Sequence, residues 1–194
     1  MTVCILRGSP RKNGNTNSLM VPFVKELEEA GCICHDFDLH TMKLDPCVGC
    51  CCCQKDWEHF NCSRKDDLQP VFDAILKSDL IVLATPIYSW FCTTPMKTTL
   101  DRLVYGMNKI YSTNPGPRLW EGKSLAMVIT CGYRPEKGAD LFEEAMIRYC
   151  KHSRLEYKGM LAERHLGYHT EFMDEEKAQH AKDFAKKLLE AVEG

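Results

Sequence analysis

Apolar and polar positions alternate along this chain with two different periods. TVCIL, Thr2 to Leu6, is an uninterrupted apolar run of the length a buried strand takes. From Thr16 to Ala30 the apolar residues Leu19, Met20, Phe23, Val24 and Leu27 recur on one helical face, and Gly31 stops the pattern. Cys32 to Leu39 predicts a second strand, and residues 41–66 carry no period at all. Asp67 to Lys77 predicts a helix, LIVLATP (Leu80 to Pro86) a strand, and Pro95 to Met107 a helix with proline in its first turn. Leu125 to Thr130, Ala139 to His152, Leu155 to Leu161 and Asp174 to Val192 continue as strand, helix, strand and helix. Strands separated by helices imply an α/β fold: a parallel, doubly wound sheet with right-handed crossovers and helices on both faces. Ligands of such sheets bind beyond the carboxyl ends of the strands. The loops at 8–16, 86–95 and 131–138 follow the first, third and fourth strands, so they should share one rim.

A chain of 194 residues without repeat or linker is expected to be one domain, here with a cysteine-rich insertion at about 41–66. The formal net charge of -2 offers no footprint for a polyanion, which argues against a nucleic-acid partner. No apolar run approaches the roughly 20 residues that cross a bilayer. No basic-then-apolar leader is visible, so a cytoplasmic protein without a membrane partner is expected. Twelve cysteines are anomalous there, because disulfides rarely persist in a reducing compartment. Five of them fall in CVGCCCC, Cys47 to Cys53, which suggests metal or redox chemistry.

GSPRKNGNTNS, residues 8–18, sits between the first strand and the first helix. It matches neither GxGxxG nor GxxxxGK[ST], and Pro10 stands where a Cys-x5-Arg phosphatase loop needs arginine. It does place Ser9, Thr16, Asn15, Asn17 and Arg11 at a helix N-terminus, where unpaired N–H groups and the helix dipole favour a phosphate monoester. The plain alternative is a strand-to-helix turn capped by Asn15 or Thr16.

GSPRKNGNTNSL resembles the FMN-phosphate loop of the flavodoxin-like NAD(P)H-dependent reductases, and ATPIYSWFCTTPMKTTLDRL resembles their flavin-ring loop and following helix. The resemblance implies a flavodoxin-like fold with strand order 2-1-3-4-5, bound FMN, NAD(P)H as co-substrate and a homodimer or homotetramer. Its phosphate site would be Ser9, Arg11, Asn15 and Thr16, with Asn17 near. Its ring site would be Pro86, Ile87, Tyr88, Ser89 and Trp90, facing Cys131, Gly132 and Tyr133. Read as plain residue types, the two aromatics could equally be core or interface, and Arg134 and Lys137 solvated charges or dinucleotide contacts. The flavin does the chemistry in such enzymes, so no side chain is nominated as acid, base or nucleophile. The product is expected to be a reduced small-molecule acceptor, such as a quinone or free flavin.

Cys47, Cys50, Cys53 and Cys62 form a C-x2-C-x2-C-x8-C pattern, which is similar to the cysteine motif of iron–sulfur flavoproteins, a branch of the same fold family. The last gap is long for that branch and holds Trp57, His59 and Phe60. Three occupancies therefore stand: an iron–sulfur cluster, a zinc ion, or no metal and thiols that pack or respond to oxidants. Two other functions follow: an electron-carrier iron–sulfur flavoprotein, or a thiol-based redox sensor, neither using NAD(P)H directly. His165 and His169 lie after the last strand, within reach of the rim, although a lone histidine is more often a surface residue.

Overall fold

The computed structural model describes residues 1–167 and 169–193. A five-stranded parallel sheet of order β2-β1-β3-β4-β5 forms its centre, the order the resemblance implies. The strands are β1 (Thr2–Arg7), β2 (Ile33–Asp38), β3 (Leu80–Pro86), β4 (Ser124–Cys131) and β5 (Glu156–Arg164). The helices are α1 (Asn15–Glu29), α2 (Gln69–Lys77), α3 (Thr94–Met107), a single turn α4 (Pro135–Gly138), α5 (Asp140–Ser153) and α6 (Glu175–Glu193).

The alternation of strand side chains divides the core in two. Val3, Ile5, Leu80, Val82, Ala84, Ala126 and Val128 face α1 and α6, where Phe23 and Phe184 meet. Cys4, Leu6, Ile81, Leu83, Leu125, Met127 and Ile129 face the other layer, built from α2, α3 and α5. The central strands β3 and β4 are buried along almost their whole length, which is why their sequences are continuous apolar runs.

Two elements differ from expectation. Residues 131–138 are not wholly a loop: Pro135 presets the φ of a first turn and α4 forms behind Arg134. The last strand runs to Arg164 rather than Leu161, paired with β4 as far as Cys131. It is an edge strand with half-buried residues throughout, so no alternation marks where it ends.

The cysteine-rich segment is aperiodic but anchored. Phe60 is buried, stacks on Phe72 at 4.8 Å between centroids, and occupies the space above Gly106. Any Cβ at Gly106 would stand 2.3 Å from Phe60 Cε2. Trp57 covers Gly116 in the same way. The Gln54 amide donates to Tyr105 O (2.6 Å) and Asn108 O (3.1 Å), and buried Lys109 Nζ donates to Cys53 O (2.8 Å) and His59 O (2.6 Å). The aromatics in the long gap before Cys62 are therefore the anchor of the segment.

Candidate functional site

β1, β3, β4 and β5 all end on one rim, and the nominated residues gather there in two adjoining cavities. The first is lined by Ser9, Arg11, Asn15 and Thr16 on one side and by Pro86, Tyr88, Thr130 and His165 on the other. The second is lined by Ile87, Tyr88, Ser89 and Trp90 from the β3 loop, by Cys131, Gly132 and Tyr133 from the β4 loop, and again by His165. Tyr88 and His165 belong to both, so they mark the junction.

In the first cavity the helix cap is Gly14, not Asn15 or Thr16, so no cap side chain bonds to the first-turn amides. Those amides open toward the cavity with a partial positive charge behind them. Gly14 is required by closeness: a Cβ there would lie 2.8 Å from Arg11 Cβ. Ser9 is buried, and its hydroxyl oxygen accepts from the Arg11 amide at 3.3 Å. Thr16 Oγ1 lies 2.7 Å from Thr130 Oγ1, a bond that ties α1 to the end of β4. Asn17 stands apart from its nominated neighbours. It lies behind the loop and donates to Arg11 O (3.0 Å) and Lys12 O (3.1 Å), holding the turn without lining the cavity.

The second cavity is shaped by a strained turn. Tyr88 and Phe91 exchange two backbone hydrogen bonds (2.8 and 3.0 Å), and the central residues Ser89 and Trp90 have φ of 51° and 63°. Left-handed backbone costs a non-glycine residue about 1–2 kcal/mol. Trp90 is held there by a bond from Nε1 to Lys137 O (3.2 Å) and by stacking on Tyr133, with centroids 5.9 Å apart and planes at 12°. Strain of this kind persists only where the surroundings over-determine it, and it clusters at binding sites. Burial pushes the Cys131 thiol up to about 11, so it stays protonated at neutral pH. Arg164 Nε donates to Gly132 O (3.1 Å) and the His165 amide to Cys131 O (2.9 Å), so the end of β5 fixes the β4 loop.

Thr130, Gly167 and Thr170 line the first cavity without having been nominated, and His165, which the sequence puts within reach of the rim, lines both cavities. The sequence pattern does not mark the end of β5, so it brings His165 near the rim without placing it in a cavity. Thr130 required the pairing of two residues 114 apart in the chain.

A third cavity lies at the far end of α3. Cys47, Cys50, Cys53 and Cys62 line it together with Arg64 and Arg102. Arg102 donates to Cys62 Sγ (3.3 Å) and is bound bidentately by Asp66 (2.5 and 2.9 Å), both side chains being almost wholly buried. Burial raises the Asp66 carboxyl, but bonds from Arg102 and the Asp45 amide outweigh it and hold it below the ordinary range. The Nε atoms of Arg64 and Arg102 are buried without a partner. Cys50 is drawn down to about 7 by hydrogen bonds from Ser63 and Cys52. All twelve cysteines are free thiols. Among the described residues no group of three or more His, Cys, Asp or Glu side chains is drawn together to hold a metal ion, and no helix is long and apolar enough to cross a membrane.

Known proteins bear on this geometry in three ways. The family described as NADPH-dependent FMN reductase matches residues 1–146. An iron–sulfur flavoprotein of Archaeoglobus fulgidus is 35% identical over 100 residues, covering 51% of this chain and 44% of its own. One from Clostridioides difficile is 28% identical over 117 residues, covering 59% and 51%. The chain thus spans about half the length of the curated relatives it matches. Among solved structures, an NAD(P)H:quinone oxidoreductase from Methanothermobacter marburgensis superposes with a TM-score of 0.77 over 97% of this chain and 96% of that one. At 17% identity that likeness speaks for the fold.

Proposed function

The chain belongs to the NADPH-dependent FMN reductase family, and from that premise we propose that it is a flavin-dependent oxidoreductase that takes electrons from NAD(P)H through FMN to a small acceptor such as a quinone or free flavin. One observation carries the reading: the uncapped N-terminus of α1 opens into a cavity that continues, past Tyr88 and His165, into a second one walled by aromatic residues.

The residues fit the cofactor. Free first-turn amides, the Ser9 and Thr16 hydroxyls and Arg11 suit a dianionic phosphate, and Gly14 admits it closely. The exposed faces of Tyr88, Trp90 and Tyr133 suit a flat apolar ring. Bound FMN supplies two-electron chemistry between nicotinamide and acceptor. The chain holds the phosphate, keeps the ring-end turn rigid through the Trp90–Tyr133 stack, and presents backbone donors from the β4 loop to the ring's polar edge. Assembly as a homodimer or homotetramer and a cytoplasmic setting belong to the same reading. Stopped-flow mixing of FMN-loaded protein with NADPH and NADH tests the function: bleaching of the flavin band is expected, and flavin that stays oxidised overturns it.

A second reading is favoured by the third cavity. Four soft thiols and two unpartnered buried guanidinium Nε donors line this cavity, the donor types an anionic iron–sulfur cluster takes, although the thiols are not drawn together as a metal-holding group and would have to close on it. Cys47, Cys50, Cys53 and Cys62 would hold it, and the protein would be an electron carrier like the iron–sulfur flavoproteins it resembles. Assay of iron and acid-labile sulfide on anaerobically purified protein separates the two: near-zero values leave the reductase reading alone.

A further inference from the structure

We propose that Cys50 and Cys52 form a dithiol–disulfide couple, a redox site beside the third cavity whose substrates are low-molecular-weight disulfides. The couple uses no residue of the rim, so it stands apart from the FMN reading.

The backbone brings the two thiols together. Cys51, between them, has φ 57° and ψ 15°, a left-handed conformation that a non-glycine residue rarely enters. It is close to the mirror image of a helical residue, so it curls the chain as tightly. With a helical rise of about 1.5 Å and a radius of about 2.3 Å, residues i and i+2 stand about 5.4 Å apart at Cα. Bridged cysteines usually stand roughly 4.4–6.8 Å apart at Cα. In the folded chain the Cys50 and Cys52 side chains are hydrogen-bonded to each other. Their surroundings hold the curl in place. Cys51 O accepts from the Gln54 amide and Cys52 O from Asn61 Nδ2, both at 3.0 Å, and Cys52 opens a 3-10 turn that runs to Lys55. Cys50 is exposed, with Ser63 Oγ 3.0 Å from its Sγ. Three other thiols of the segment face elsewhere: Cys51 donates to Gly49 O (3.5 Å), Cys53 accepts from the Gln54 side chain (3.8 Å) and Cys62 from Arg102 (3.3 Å).

One thiol is reachable and its partner is fixed beside it, which is the arrangement thiol–disulfide exchange needs. The Cys50 sulfur gives its proton to solvent and attacks one sulfur of a disulfide RSSR. The S–S bond breaks, and RS− leaves with the electron pair. The Cys52 sulfur, its proton also given up, then attacks Cys50 Sγ in the mixed disulfide, and the second RS− leaves. The two released protons convert both leaving groups to RSH. Two cysteine thiols are thereby oxidised to one disulfide, and RSSR is reduced to two thiols. Cys50 is one of the four cysteines that would hold a cluster and Cys52 is not, so the bridge and that ligand set exclude each other.

The test takes the full chain, anaerobically purified, reduced and freed of reductant, and mixes it with oxidised glutathione. Free thiols are capped with N-ethylmaleimide, bridged ones are then reduced and labelled with iodoacetamide, and the labels are located by peptide mass spectrometry. Expected is the loss of two free thiols, with the iodoacetamide label on Cys50 and Cys52, and recovery of both thiols in excess reduced glutathione. Cys52→Ser should stop at the first step and keep one glutathione on Cys50. Cys53→Ser should bridge as wild type does. A bridge between any other two cysteines of wild type, glutathione left on its Cys50, or both thiols unmodified with or without bound iron overturns the proposal. Cys52→Ser that bridges Cys50 as fully as wild type overturns it too. Should a variant not fold, the label map of wild type decides alone.

Discussion

At the scale of single residues, the two cavity hydroxyls are not equivalent. Among the described residues Ser9 Oγ bonds within its own loop, so if the proposed phosphate site holds, Ser9→Ala removes one hydrogen bond to a charged group, worth about 1.5–3 kcal/mol. Titration of apo-protein with FMN should show roughly 10- to 150-fold weaker binding. Thr16→Ala should weaken binding further, because Thr130 loses its partner at 2.7 Å and the end of β4 loosens from α1. Unchanged affinity in the double variant would remove both residues from the site. Gly106 offers a prediction about the cysteine segment. Gly106→Ala drives a methyl to 2.3 Å from Phe60 Cε2 and should destabilise by about 1–3 kcal/mol in denaturant unfolding. Phe60→Leu in the same protein should cost less than the sum of the singles, since the two share one space. That Ser9, Arg11, Asn15 and Thr16 line one cavity is legible in the sequence, because hydroxyls, an amide and a cation crowd into one short loop at a helix start. Asn17 carries the same chemistry and is turned the other way, to Arg11 O and Lys12 O. The sequence puts His165 and His169 within reach of the rim, but only the end of β5 shows that His165 lines both cavities.

Elements were easiest to recognise where burial is complete. β3 and β4 are buried on both faces and show it as apolar runs; β5 is half-buried along its length, and its last three residues went unseen. The same edge carries a pH-sensitive tie. His180 of α6 bonds Glu163 near the end of β5 at 2.8 Å, and that bond raises the imidazole above its ordinary pKa. A raised folded pKa stabilises fully below the ordinary value of about 6.5 and is lost as pH rises through the folded one. The melting temperature of wild type should therefore exceed that of His180→Gln at pH 6, with the gap closing by pH 8.5. A gap that is constant with pH would exclude the ion pair. Asp66 works in the opposite sense. Its carboxyl is depressed, so the Arg102 clasp is complete above the ordinary carboxylate range and fails as pH falls below it. Asp66→Asn leaves Arg102 buried against a neutral partner and should cost about 3–5 kcal/mol, seen in urea unfolding at pH 7.

For the whole molecule, the rim and the third cavity stand at opposite ends of α3. The helix begins at Thr94, four residues after Trp90 of the strained turn, and its far half bears Arg102, Tyr105 and Gly106 under the cysteines. The rim is built from the ends of β1, β3, β4 and β5, so a ligand there touches loops that lead into both layers. A phosphate on α1 draws on the α1–α6 layer, and a ring between the β3 and β4 loops draws on α3 and α4. FMN that binds the folded chain alone should then raise global stability by RT ln(1 + [L]/Kd), about 2.7 kcal/mol at a hundredfold excess over Kd. For a chain of this size each kcal/mol moves the midpoint by about 2–4 °C, so saturating FMN should raise it by roughly 5–10 °C. Ser9→Ala with Thr16→Ala should lose most of that rise, because the free concentration no longer far exceeds Kd. Cys47→Ser should keep it, because that thiol lies at the far end of α3 and touches neither cavity on the rim. A thermal shift with FMN that vanishes in Cys47→Ser but survives in the double variant would move the flavin away from the rim, and with it the assignment of the α1 loop.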